Sequence, residues 1–176
     1  MDEKLVSVLN NGGIAVIPTD TIYGIVGSAL NPQTVKRIYK LRKRSKKKPF
    51  IILISSLNDL NQFNIELTKK QIDFLKNIWP NPVSIILPSG KKSLAFRMPK
   101  NEKLLQLLKK VGPLVAPSAN FEGEKPAEDI GEVKKYFGNN VLCYIDKGKI
   151  ISKPSTLIKL NNDGSTKILR QGEFKL

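Results

Sequence analysis

Blocks of four or five mostly apolar residues recur along this chain, at 14–18, 50–54, 83–87, 94–97, 114–117 and 141–145, and none is long enough to be a buried helix. Blocks of that length make interior strands. The segments between them carry helical spacing instead. Residues 3–11 set Leu5, Val8 and Leu9 on one side ahead of a Gly12-Gly13 stop. Asn31-Pro32 supplies an N-cap and first helical residue for a helix to about Leu41, with Val35, Ile38 and Tyr39 on one face. Thr68 and Gln71 form a capping box for a helix bearing Ile72, Leu75 and Ile78, stopped by Pro80. Helices are also predicted over 101–111, with Leu104, Leu105, Leu107 and Leu108 inward, and over 128–137. Ser89-Gly90 turns one strand pair, and Asn-Asn-Asp-Gly joins 156–160 to 166–169 as a β-hairpin. Such interleaving predicts an α/β fold with a mixed sheet, and with neither repeat nor linker the chain reads as one domain over 1–176.

The chemistry open to this chain is narrow. It has no histidine and one cysteine, Cys143, which excludes histidine-based triads, internal disulfides and the usual zinc sites. Cys143 sits in an apolar run, which places it in the core. No phosphate-binding glycine loop of either common type is present, so a phosphate must be held by side chains. The net charge is +15, from 30 Lys+Arg against 15 Asp+Glu, and the run from Lys36 to Lys48 packs nine basic residues into thirteen with no acid. That balance favours polyanions such as nucleotides or RNA. No apolar run reaches the length of a membrane span and the start, Met1-Asp2-Glu3, is acidic, so the expectation is a cytoplasmic protein with no membrane partner.

Polar residues cluster where the apolar blocks end. Pro18-Thr19-Asp20-Thr21-Ile22-Tyr23-Gly24 follows the first block, a place where α/β folds put ligands and equally one where a Thr/Asp turn is structural. Arg42-Lys43-Arg44 through Lys48 can clamp an anion, directly ahead of the 50–54 strand. Arg97 closes another block and either reaches solvent or awaits a carboxylate or phosphate. Ser118-Ala119-Asn120, Ser155-Thr156 and Arg170-Gln171-Gly172 repeat the theme. Together they predict one composite pocket.

In order and spacing these segments, with Trp79-Pro80-Asn81-Pro82 and Arg97-Met98-Pro99, resemble the YrdC/TsaC family of L-threonylcarbamoyladenylate synthases over about 5–174. The resemblance implies a twisted sheet around a large, positively charged cavity. It implies a reaction of ATP, L-threonine and bicarbonate, with Mg2+ on the phosphates, that gives threonylcarbamoyl-AMP and pyrophosphate. Separate proteins would then pass the group to an adenosine of tRNA. By position, Thr19, Thr21, Arg97, Ser118 and Ser155 would contact threonine and its carbamoyl group. Arg44, Lys48, Ser93, Asn120 and Arg170 would hold ATP, and Arg42, Arg44, Ser118 and Asn120 would act in catalysis, with no resident metal. The chain departs from the pattern at Arg42, where a lysine is usual, at Leu53, where many members have histidine, at Lys159 for Asp and at Gln171 for Pro. It ends at Leu176 without the extra domain of longer relatives, resembling the short bacterial type.

Two other readings compete. A non-enzymatic double-stranded RNA-, tRNA- or ribosome-binding module would use the basic run as its surface and need lysines in quantity. Carbamoyl-transfer enzymes of hydrogenase maturation share the domain, but inside longer chains with zinc-binding cysteines. An enzyme would depend on Arg97, Ser118 and Asn120 individually, and Arg97→Ala is expected to remove activity while leaving the fold intact.

Overall fold

A computed structural model describes residues 2–45, 48–90 and 92–175. Its elements follow the predicted interleaving: α1 (Glu3–Asn10), β1 (Ala15–Pro18), β2 (Tyr23–Ser28), α2 (Pro32–Leu41), β3 (Ile51–Leu53), α3 (Lys69–Ile78), β4 (Val83–Ser89) and β5 (Lys92–Arg97), then α4 (Glu102–Val111), β6 (Leu114–Val115), α5 (Ile130–Phe137), β7 (Cys143–Tyr144), β8 (Thr156–Leu160) and β9 (Thr166–Arg170). The strands form one mixed sheet in the order β7-β1-β2-β6-β3-β5-β4-β8-β9. Three neighbouring pairs are parallel (β1/β7, β3/β5, β4/β8) and the rest antiparallel.

The caps fall where the sequence puts them. Asn31 accepts from the amides of Gln33 and Thr34, Thr68 and Gln71 close a reciprocal capping box, and Asn101 caps α4. The helix faces differ in detail. In α2 the fully covered residues are Thr34 and Ile38, while Val35 and Tyr39 are half-buried, and in α4 Leu105 stays outside the buried set of Leu104, Leu107 and Leu108. Two predicted strands shorten to β6 and β7, although the ladder continues past them through Ala116 to Ile51, Leu142 to Ile14 and Ile145 to Val16.

Strand alternation divides the core in two. Val16, Ile25 and Ile52 point into one cluster, while Ala15, Ile17, Val26 and Leu53 point into the other with Leu5 and Leu9 of α1 and Leu104, Leu107 and Leu108 of α4. Leu53, at the position where the resemblance leads one to expect a histidine in many members, is fully buried and lies outside the cavity lining.

Besides a single 3-10 turn at Gly138–Asn140, two elements were not foreseen. A 3-10 helix covers Leu57–Phe63, with Asp59 accepting from the amides of Ser55 and Ser56 and from the Ser55 hydroxyl. The second, β2, is a central strand whose glycines break the apolar pattern, and both glycines have a packing reason. A Cβ at Gly27 would lie 2.4 Å from Thr34 Cγ2 and 3.2 Å from Ile38 Cδ1, so α2 rests directly on that backbone. A Cβ at Gly24 would lie 3.1 Å from Thr19 Cγ2 and 3.5 Å from the Pro117 carbonyl.

Candidate active site

A cavity of 390 Å³ collects the ends of the polar segments: Thr19, Thr21, Arg42, Arg44, Lys48, Arg97, Ser118, Ser155 and Arg170 all line it. Register explains the space. Ile51, Ala95 and Ile86 lie side by side across β3, β5 and β4, and Ala95, Gly24 and Ala116 present small surface where larger residues would fill the hollow.

The strand exit at 18–24 is a turn that uses its own hydroxyls. Thr19 Oγ1 donates to the Ile22 carbonyl at 2.6 Å and accepts from the amides of Thr21 and Ile22, which leaves it a structural group at the cavity wall. Thr21 Oγ1 contacts Thr19 Oγ1 at 3.3 Å and accepts from Arg97 at 3.4 Å. Between them, Asp20 meets the Arg97 guanidinium at 3.1 Å, and both side chains are almost wholly buried. The two Asp20 oxygens and Arg97 Nε have no hydrogen-bond partner among the described residues, and Asp20 is held as the ion-pair partner of Arg97. Burial lowers the Arg97 pKa, Asp20 raises it, and the nearby positive charge of Arg170 lowers it again.

Beside it, the Ser155 hydroxyl shares a 2.8 Å hydrogen bond with Ser84. Arg170 donates through Nε and a terminal nitrogen to the Ser155 carbonyl, at 3.2 and 2.8 Å. Gly172 makes this possible, because a Cβ there would sit 2.1 Å from the Pro154 carbonyl.

A second arginine pair is built from α2 and the loop after Pro117. Residues 117–119 run against β2, with Ile25 N bonding the Pro117 carbonyl and Ala119 N the Tyr23 carbonyl. Arg42, only 3% exposed, donates from Nε to the Asn120 carbonyl and from a terminal nitrogen to Ser118 Oγ and Asn120 Oδ1. Burial first, then the adjacent Arg44 charge, brings its pKa down to about 10, so the guanidinium stays charged at neutral pH. Asn120 Nδ2 donates to the carbonyls of Phe121 and Glu124, so every polar atom of this side chain is engaged within the protein. Asn120, placed by the resemblance among the ATP-binding and catalytic residues, is not in the cavity lining; its carboxamide accepts from Arg42, which also donates to Ser118 Oγ.

Arg44 and Lys48 stand at the cavity lip. Arg44 Nε donates to the Lys48 carbonyl at 3.2 Å, and Tyr39 stacks on Phe50 beneath them at 3.9 Å between centroids. Ser93 falls outside this cavity. It lines an adjoining depression with Lys92 and Lys159, joined to the main one at Ile86 because Ser93, Ala95 and Arg97 share a strand face. Lys46 and Lys47, part of the basic run, lie outside the described residues.

Two residues that the structure places against the cavity's cations were not singled out in the sequence. Asp20 was visible between its threonines, but nothing in its spacing points to Arg97 on a distant strand. Glu122, which carries the contacts described below, looks in sequence like one more acid in a loop. Among the described residues no group of three His, Cys, Asp or Glu could hold a metal, and no helix is long and apolar enough to cross a membrane.

The site can be compared with known proteins. The family model Sua5/YciO/YrdC, described as telomere recombination, matches residues 7–172. The threonylcarbamoyl-AMP synthase of Pyrococcus abyssi is 31% identical over 180 residues, which cover 96% of this chain and 53% of that protein. That of Hahella chejuensis is 29% identical over 182 residues, covering 96% of this chain and 97% of its own length. The crystal structure of P. abyssi Sua5 complexed with L-threonine superposes with a TM-score of 0.86 at 30% identity, over 96% of this chain and 53% of that one. The chain thus spans about half of the archaeal protein and nearly all of the bacterial one.

Proposed function

Because this chain belongs to the Sua5/YciO/YrdC family, we propose that it joins L-threonine, bicarbonate and ATP into threonylcarbamoyl-AMP with release of pyrophosphate. The observation that carries this reading is one cavity lined by two cationic groups, Arg97 offset by Asp20 and, at the lip, Arg44 with Lys48 offset by Glu122, with Arg170 also in the lining. Two cationic centres suit two anionic reactants, an amino-acid carboxylate and a triphosphate.

In this proposal Arg97, held upright by Asp20, takes the threonine carboxylate beside the Thr21 and Ser155 hydroxyls. Arg44, Lys48 and Arg170 hold the triphosphate, and Ser93 reaches the nucleotide only where it extends along β5. Arg42 keeps Ser118 at the reacting end. The threonine amine and bicarbonate give a carbamate and water. A carbamate oxygen then bonds the α-phosphorus as the bond to pyrophosphate breaks. The step asks for positioning and charge stabilisation, which this histidine-free site can supply. Magnesium would arrive on the triphosphate and neutralise part of its charge. The mixed anhydride formed is consumed by separate proteins that modify an adenosine of tRNA.

The test is pyrophosphate release by purified protein in magnesium buffer with ATP and bicarbonate. Release that requires L-threonine supports the assignment, and release indifferent to threonine overturns it.

A further inference from the structure

The carboxylate of Glu122 sits at the focus of the cavity's own anion-binding groups. Its oxygens accept from Lys48 Nζ at 2.8 Å and from the Ser45 amide at 3.0 Å, with the Arg44 guanidinium at 3.8 Å. An ammonium, a guanidinium and a backbone N–H converging on one point is how proteins hold a phosphate oxygen. Here an internal acid occupies it. Those donors and the neighbouring charges hold the Glu122 carboxyl below its ordinary value, so it is ionised at neutral pH.

The surroundings let this contact form and break. The Glu122 amide donates to the Arg42 carbonyl at 2.8 Å, and Lys43 Nζ lies 4.0 Å over the Phe121 ring, so the Phe121–Glu122 backbone is pinned against the start of the basic loop. The next residue, Gly123, has φ +91° and open space for 4 Å around the point where a Cβ would stand, and the Glu122 side chain is 23% exposed. Being already partly exposed, the carboxylate can turn toward solvent without leaving a hole in the core. Exposed ion pairs of this kind are individually weak, so they can be displaced.

We propose that Glu122 is a built-in stand-in for substrate phosphate, which an incoming triphosphate displaces from Arg44, Lys48 and the Ser45 amide. This rests on the reading of Arg44 and Lys48 as the triphosphate clamp. Displacement imposes the same cost on every anion. A singly charged anion gains less from the clamp than it costs to expel Glu122, whereas a triphosphate gains more. Glu122 thereby sets a charge threshold for entry.

The test is calorimetric titration of inorganic pyrophosphate and of ATP into the full chain, as wild type, Glu122→Gln and Glu128→Gln. Glu128 pairs with Lys125 and Lys149 outside the cavity lining, so its variant loses the same charge without touching the clamp. Glu122→Gln is expected to tighten both ligands roughly three- to tenfold, and Glu128→Gln to leave them within about twofold. Unchanged or weaker binding by Glu122→Gln overturns the stand-in role while the clamp survives. Equal tightening by both variants overturns it too, since net charge would then suffice. If wild type and Glu122→Gln both fail to bind either ligand, the clamp itself is wrong and the stand-in falls with it.

Discussion

Arg97 and Asp20 show how far one residue's role depends on a partner that sequence spacing cannot display. The sequence suggests that Arg97→Ala would remove activity and spare the fold, but the structure buries the Asp20 carboxylate against that guanidinium. Removing the cation strands a buried anion, so Arg97→Ala should cost about 3–5 kcal/mol of stability by urea denaturation. Adding Asp20→Asn should recover much of that loss without restoring threonine-dependent turnover. Recovery of turnover in the double variant would refute the carboxylate-clamp role. Asn120 makes a parallel case: its carboxamide bonds Arg42 and two carbonyls, so Asn120→Ala should cost about 1–3 kcal/mol and loosen Arg42. The residue types at these positions were readable from sequence. Which of them touch ligand and which hold their neighbours was not, because that division depends on pairings between distant segments.

At the scale of elements, strand-length apolar blocks and capped helices could be recognised because their signals are local. The strand β2 could not, since Gly24 and Gly27 interrupt its alternation and the reason for them is another element lying close. Gly27→Ala would press a methyl into Thr34 and Ile38 of α2, and should lower stability by about 1–3 kcal/mol in thermal or urea unfolding. The loop after β9 behaves likewise. Gly172→Ala cannot be accommodated against Pro154 and Ser155, so it should displace the carbonyl that orients Arg170 and weaken ATP binding measured by titration. Wild-type ATP affinity in that variant would remove Arg170 from the clamp.

For the whole molecule, the charge of +15 acts on approach rather than on shape. Apparent ATP affinity should fall as ionic strength rises through the range where the Debye length is about 8 Å, while apparent threonine affinity, for a ligand of zero net charge, should change little. A non-enzymatic RNA-binding module would share the salt dependence toward ATP but would show no threonine binding. The mixed sheet gathers six separately weak polar segments into one cavity, and the proposed chemistry depends on that convergence. Its most direct measurement is mass spectrometry of the nucleotide formed from ATP, L-threonine and isotopically labelled bicarbonate. The expected product is a threonylcarbamoyl adenylate that carries the bicarbonate label and appears with pyrophosphate. An adenylate without the label, or ATP left intact while threonine and bicarbonate are both present, would contradict it.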